Sequence, residues 1–219
     1  MAAGEVAFGP EERVRQERER QLMITTADFI GPSSQDEFVR ALETEDIIGC
    51  VLRLHLHVEE LLAVLLNSSI TTEIAKIITV PQNFSHKVQL ATAFGMPVEM
   101  GLAALELNGL RNKLGHRLGH QLKREDVSRF AEKVDAVREV LFASVPSVMV
   151  SAIELYSTGS GKRQFGEGDP IWDFKITAGL LYGWMLRYLA ERGVSFKQRN
   201  ALGLFKPRKR PLLHAVIEL

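Results

Sequence analysis

The residues best suited to chemistry lie in one short run, Leu107-Asn-Gly-Leu-Arg-Asn-Lys-Leu-Gly-His-Arg-Leu-Gly-His120. An imidazole titrates near neutrality and so takes or gives a proton at ordinary pH. A guanidinium presents five donors in a planar fork that suits the oxygens of phosphate or carboxylate. Helical spacing decides whether the two groups meet. At about 100° per residue, Leu107, Leu110, Leu114 and Leu118 fall within roughly 80° of one another and form the face turned to a core. Asn112 and His116, four apart, then stack on the opposite side, with His120 and Lys123 nearby and Arg111 on the shoulder. Gly115 and Gly119 lie toward the same side, and glycine weakens a helix unless close approach or a distorted turn needs it. Such a face is either a docking surface or a reactive site. A structural use of Arg111 and His116, as an interface salt bridge or a helix-end bond, competes with a catalytic one. His116 and His120 have the spacing of paired metal ligands, but no third ligand is placed beside them, so neither a metal nor another cofactor is expected.

The elements that must hold this face read as helices. Ile47, Val51, Leu54, Val58, Leu61 and Leu65 recur at intervals of three and four, which predicts one long helix over about 41–67. A short helix follows around 85–94, between breaks containing Pro81 and Pro97. Leu102, Leu105 and the leucines of the motif define a third helix, from about 99 to 118. Asp126 or Ser128 is positioned to cap a fourth, which carries Phe130, Val134, Val137, Val140 and Leu141 and ends before Pro146. Short connections of this kind favour an antiparallel helical bundle. The fold class is therefore read as all-α, with a mixed-charge segment over 1–35, the bundle over 36–156, a loop over 157–170, and a C-terminal helix (171–192) with a basic tail over 171–219. That last helix is apolar around much of its circumference, so it packs on the bundle or in an oligomer interface. In the loop, Gly-Ser-Gly-Lys162 resembles part of a phosphate loop, but Tyr156 and Arg163 stand where the motif demands Gly and Ser or Thr.

Composition bounds the function. With 219 residues, 27 basic against 27 acidic side chains and one cysteine, the chain can bury its own core without disulfides, which fits a reducing cytoplasmic setting. Zero formal charge excludes a protein that coats nucleic acid, although it does not exclude a local basic patch. No apolar run reaches the length of a membrane helix, so no membrane partner is expected.

Arg111-Asn-Lys-Leu-Gly-His116, an Arg followed by a polar residue with a His after four intervening positions, resembles the signature of the higher eukaryotes and prokaryotes nucleotide-binding (HEPN) superfamily. The long first helix, the FSHKVQLATAFG segment containing Lys87, and the Leu-rich helix ending in LRNKLGH are similar to small all-helical HEPN proteins of bacteria, over about 45–145. The resemblance implies a homodimer whose motif helices meet across a twofold axis, forming a composite site with two Arg and two His. It implies metal-independent cleavage of an RNA substrate to a 2′,3′-cyclic phosphate, in a toxin or defence component with an antitoxin or regulatory protein as partner. Under that reading His116 moves protons at the ribose 2′-hydroxyl or the leaving oxygen, Arg111 stabilises phosphate charge, and Asn112 orients either group. The alternative it leaves is a non-catalytic interaction or regulatory module of the mannitol-operon repressor kind.

Two further features bear on partners. The first long helix carries a second apolar strip, Leu52, Leu56, Ala63 and Leu66, with Glu59 in its middle; a helix with two apolar faces usually touches two partners. This strip is expected at the dimer axis, with Glu59 approaching Arg111 or His116 and His120 in support. The tail, with Lys206, Arg208, Lys209 and Arg210 beside Phe196 and Phe205, reads as a nucleic-acid-binding arm or as a merely solubilising terminus. His55 and His57 are read as satisfied or solvated imidazoles, Lys87 as solvated or ion-paired, and Trp172 and Trp184 as core or interface aromatics.

Overall fold

A computed structural model describes residues 23–25, 35–116, 121–155, 159, 161–194 and 215–218. Its described part is mostly helical. Six α-helices, α1 (Gln35–Glu43), α2 (Ile47–Ser69), α3 (Phe84–Ala93), α4 (Val98–His116), α5 (Arg124–Leu141) and α6 (Pro170–Glu191), account for most of it. Short strands β1 (Met23–Thr25), β2 (Ala152–Leu155), β3 (Lys162–Gln164) and β4 (Ala215–Glu218) form one antiparallel sheet in the order β1-β4-β2-β3.

The helix predicted over 41–67 is two helices. Asp46 breaks it: its carboxylate accepts from the backbone N–H groups of Ile48 and Gly49, the bond pattern of an N-cap. Thr44 fastens the corner by donating to the Arg40 carbonyl while accepting from Arg53 at 2.6 Å. Apolar periodicity runs across such a corner without registering it, because both helices turn their apolar sides to the same core. Beyond the corner the predicted face holds: Val51, Leu54, Val58, Leu61 and Leu65 are all buried.

The predicted cap of the fourth helix also differs. Helix α5 starts at Arg124 after Lys123, which makes no side-chain cap bond, so Asp126 and Ser128 sit inside the helix. Asp126 serves the first turn instead, where a carboxylate is favoured by the helix dipole. Val140, assigned to the apolar side, is exposed at the helix end, and Leu102 is exposed on α4.

Helix α6 is the axis of the core. From Asp173 to Leu186 every residue is buried, by the bundle itself rather than by a second chain. Tyr182 stacks on Phe38 with ring centroids 4.2 Å apart, and Phe130 and Phe142 lie within 6.0 Å of Phe174 and Trp184. Trp184 is a core aromatic, while Trp172 at the helix start is only partly covered. α6 therefore shares one hydrophobic cluster with the helices before it.

The 157–170 segment, predicted as loop, contains β3. Gly159 and Gly161 have φ of 61° and 67°, so the glycines that suggest a loop belong to the connection between antiparallel β2 and β3. Strands this short leave too few residues for alternation to declare itself. The sheet also joins the chain's two ends, since β1 lies within the mixed-charge segment and β4 within the tail. No helix among the described residues is long and apolar enough to cross a membrane.

Candidate functional site

Helix α4 carries the motif, and its orientation follows from its leucines. Leu107, Leu110 and Leu114 are buried against the bundle, which turns Arg111 and Asn112 partly outward at the C-terminal end. His116 is the final residue of α4. Its side chain lies outside the described residues, as do His120 and the tail residues Lys206, Arg208, Lys209 and Arg210.

Arg111 Nη1 donates to Asn112 Oδ1 at 2.9 Å, and no carboxylate among the described residues forms an ion pair with it. Two glycines of α4 face open space. A Cβ placed on Gly109 or Gly115 would meet nothing within 4 Å, so neither glycine is required by packing inside this chain. Gly101 on the same helix contrasts with them: a Cβ there would come within 2.9 Å of the Thr92 hydroxyl and 3.4 Å of Val88, so it permits close α3–α4 contact.

A polar cluster from three helices lies next to the motif. Buried His55 of α2 bonds through Nε2 to Asn108 Oδ1 at 3.1 Å, and Asn108 donates onward to the Ser85 hydroxyl of α3 at 3.4 Å. Phe84 lies against the imidazole, with ring centroids 4.2 Å apart. Burial pushes the His55 pKa down; its Asn108 bond and nearby Glu59 oppose that, while the charges of Arg111 and Lys87 add to it. His55 is therefore a neutral, satisfied core imidazole; half-buried His57, whose pKa burial also lowers, lies edge-on to Phe38 and Tyr182.

Glu59 does not bond Arg111. It accepts from Lys87 Nζ at 2.7 Å, so the acid expected to serve the motif holds the α3 lysine instead. The reason is geometric: Lys87 and Glu59 face each other where α2 packs on α3, and both side chains are largely covered. Within the second apolar strip, Leu66 is fully buried in this chain's core, whereas Leu56 is 60% exposed and Leu52 and Ala63 are half-buried. Only the first part of that strip is open to a partner.

Spacing did not reveal the other flank of the motif. Lys113 Nζ donates to Asp126 Oδ1 at 2.7 Å, Arg129 bonds the same carboxylate, and Arg129 Nε reaches Glu106 at 3.3 Å. Burial pushes the Asp126 carboxyl up, but the Lys113 and Arg129 bonds overcome it and hold the pKa below the usual value. The available signal was charge alternation between helices adjacent in sequence. Asn108 was visible too, one turn before Asn112 on the same helix, though only the fold shows that it meets His55.

Among the described residues, no three His, Cys, Asp or Glu side chains gather as a metal site. Comparison with protein-family models, curated proteins and solved structures finds nothing that matches this chain. The arrangement is thus assessed on its own chemistry. It offers a partly outward guanidinium with unfilled donors, a neighbouring amide, and a helix surface unobstructed at Gly115.

Proposed function

We propose that this chain is a metal-independent endoribonuclease of HEPN type, acting in the cytoplasm as a homodimer and serving as a toxin or defence component. The observation that carries the reading is Arg111, which keeps donors available for phosphate while the cations on either side are held by carboxylates: Lys87 by Glu59, and Lys113 by Asp126. Gly115, one turn beyond Arg111 on the same side of α4, supports dimerisation, because it leaves room for close approach by a second helix. Exposed Leu56 and Ile48 on α2 offer apolar surface to the same partner.

In the proposed reaction one His116 removes the ribose 2′-hydroxyl proton as that oxygen attacks phosphorus. The P–O5′ bond breaks, and the partner subunit's His116 protonates the departing oxygen. The two Arg111 side chains stabilise charge on the non-bridging oxygens. The product is a 2′,3′-cyclic phosphate, and DNA is not a substrate because it has no 2′-hydroxyl.

The alternative, a non-catalytic HEPN-like module, is favoured by the Arg111–Asn112 bond, which occupies the amide proposed to orient phosphate or imidazole. Incubating RNA with wild type and His116→Ala in EDTA separates the two. Cleavage lost in the variant supports the nuclease, whereas cleavage undiminished in the variant, or absent from both, supports the module.

A further inference from the structure

The outward side of α4 carries a second open strip, away from Arg111. Val98 is 57% exposed and Leu102 is 45% exposed. One exposed aliphatic side chain means little, but these two belong to a series. Leu105 is half-buried one turn on, and beyond it Gly109 has nothing within 4 Å of the Cβ it lacks. Asn112 and the helix's last position, His116, complete the line. From Val98 the intervals are four, three, four, three and four residues, which at about 100° per residue hold all six positions within roughly 80° of one another. Buried Leu107, Leu110 and Leu114 face the other way. Alternating threes and fours are the spacing of a two-stranded coiled-coil seam, which needs a second helix. Helices α3 and α5 pack on either side of α4 and leave the strip between them uncovered. The charges on its α5 side are already neutralised, Lys113 by Asp126 and Glu106 by Arg129.

We propose that this strip packs against the same strip of a second copy, the two α4 helices lying parallel and in register about a twofold axis that runs along them. The polar and small members of the strip decide the occupant and its direction. A polar residue in a seam is costly unless its counterpart satisfies it. Asn112 Oδ1 accepts from Arg111, while Asn112 Nδ2 makes no hydrogen bond among the described residues. In register, Asn112 meets its own copy, whose carbonyl oxygen keeps a second lone pair for that donor. Gly109 then meets glycine, which lets the helices approach where the seam nears the motif. An antiparallel pair centred on the strip would instead set Asn112 against Leu102 and leave the amide unmatched.

The pairing rests on the nuclease reading in one respect, that two motifs must come to one place. The parallel register brings the two 116 positions together at the C-terminal ends of the helices, whereas the centred antiparallel pair holds them about 27 Å apart by helical rise. Gly115 stands beside the seam, on the flank that leads to Arg111.

Single cysteines test direction and register on the intact chain, with wild type as the control because its free Cys50 is buried. Val98→Cys and Leu105→Cys are each expected to give a disulfide-linked dimer under mild oxidation, because in-register seam positions fall within disulfide reach. Two positions roughly 10 Å apart along the helix cannot both meet their own copies in an antiparallel pair. Leu102→Glu, at an exposed position outside the core, is expected to weaken dimerisation at least about tenfold in sedimentation, since it sets like charges together. Crosslinking at one position only, or at neither, would overturn the parallel seam, as would a folded Leu102→Glu protein that dimerises with wild-type affinity. Both crosslinks forming in a protein that cuts no RNA would support the seam while contradicting the nuclease reading, so the two fail separately.

Discussion

Arg111 and Lys113 stand two residues apart on α4 and have opposite fates. Lys113 is held by the Asp126 carboxylate, itself part of a chain reaching Arg129 and Glu106. Arg111 faces the opposite flank, where the nearest helix offers Glu59 to Lys87 instead, and its described side-chain bond goes only to Asn112. The contrast separates two uses of charge. On the Asp126 flank, cations are neutralised, and they tie α4 to α5. On the Arg111 flank, one cation remains with unfilled donors beside a helix surface left open by glycine. A protein using both flanks for stability alone would place an acid against Arg111.

The largest expected effect breaks the Arg111 side. Arg111→Ala should reduce RNA cleavage by at least about 100-fold, the scale for removing a group that stabilises transition-state charge. Its melting temperature should stay near that of wild type, because no acid pairs with Arg111. A variant that unfolds instead would give the two flanks the same role. Asp126→Ala should do the reverse, lowering stability by roughly 1–3 kcal/mol in urea titration as two cations lose a buried acceptor, with cleavage by the folded fraction retained. Loss of cleavage without loss of stability would erase the distinction.

Acidification destabilises through both the carboxylate and the imidazoles, but in different pH windows. Asp126 has a folded pKa below its unfolded value, so its contribution is complete above the unfolded value and disappears as pH falls through the folded one. His55 and His57 have folded values below the unfolded one near 6.5. Protons then favour the unfolded chain, and stability declines as pH falls below about 6.5. Urea midpoints of wild type and His55→Gln between pH 7.5 and 5.5 should diverge, with the variant less sensitive; parallel curves would contradict the buried neutral imidazole.

The smallest effect on the monomer comes from Gly115→Ala. With nothing near the added methyl, helix propensity alone predicts a gain of roughly 0.5–1 kcal/mol. Sedimentation should nevertheless show weaker dimerisation. An unchanged dimer would remove the close-approach argument for the open face.

The motif helix was legible because apolar and polar sides segregate around it: Leu107, Leu110 and Leu114 are buried as their spacing requires, and Arg111 and Asn112 turn partly outward. The Asp46 corner was not legible, because one capping carboxylate redirects the chain without disturbing apolar rhythm. Nor was the sheet, whose strands of three and four residues pair segments from both ends of the chain. Spacing leaves Lys87 either solvated or ion-paired, and the identity of its acid, Glu59, depends on how α2 meets α3. The same dependence on packing hid the His55–Asn108–Ser85 chain.

The most direct test of the nuclease account is cleavage in EDTA of an RNA and of its counterpart with 2′-deoxy substitution at the cleaved nucleotide. The account predicts that wild type converts the RNA to a 2′,3′-cyclic phosphate end, that the substituted site is resistant, and that folded Arg111→Ala leaves both intact. Equal cleavage of the two substrates, or of the RNA by wild type and Arg111→Ala, would contradict it, as would no cleavage by a dimeric wild-type preparation.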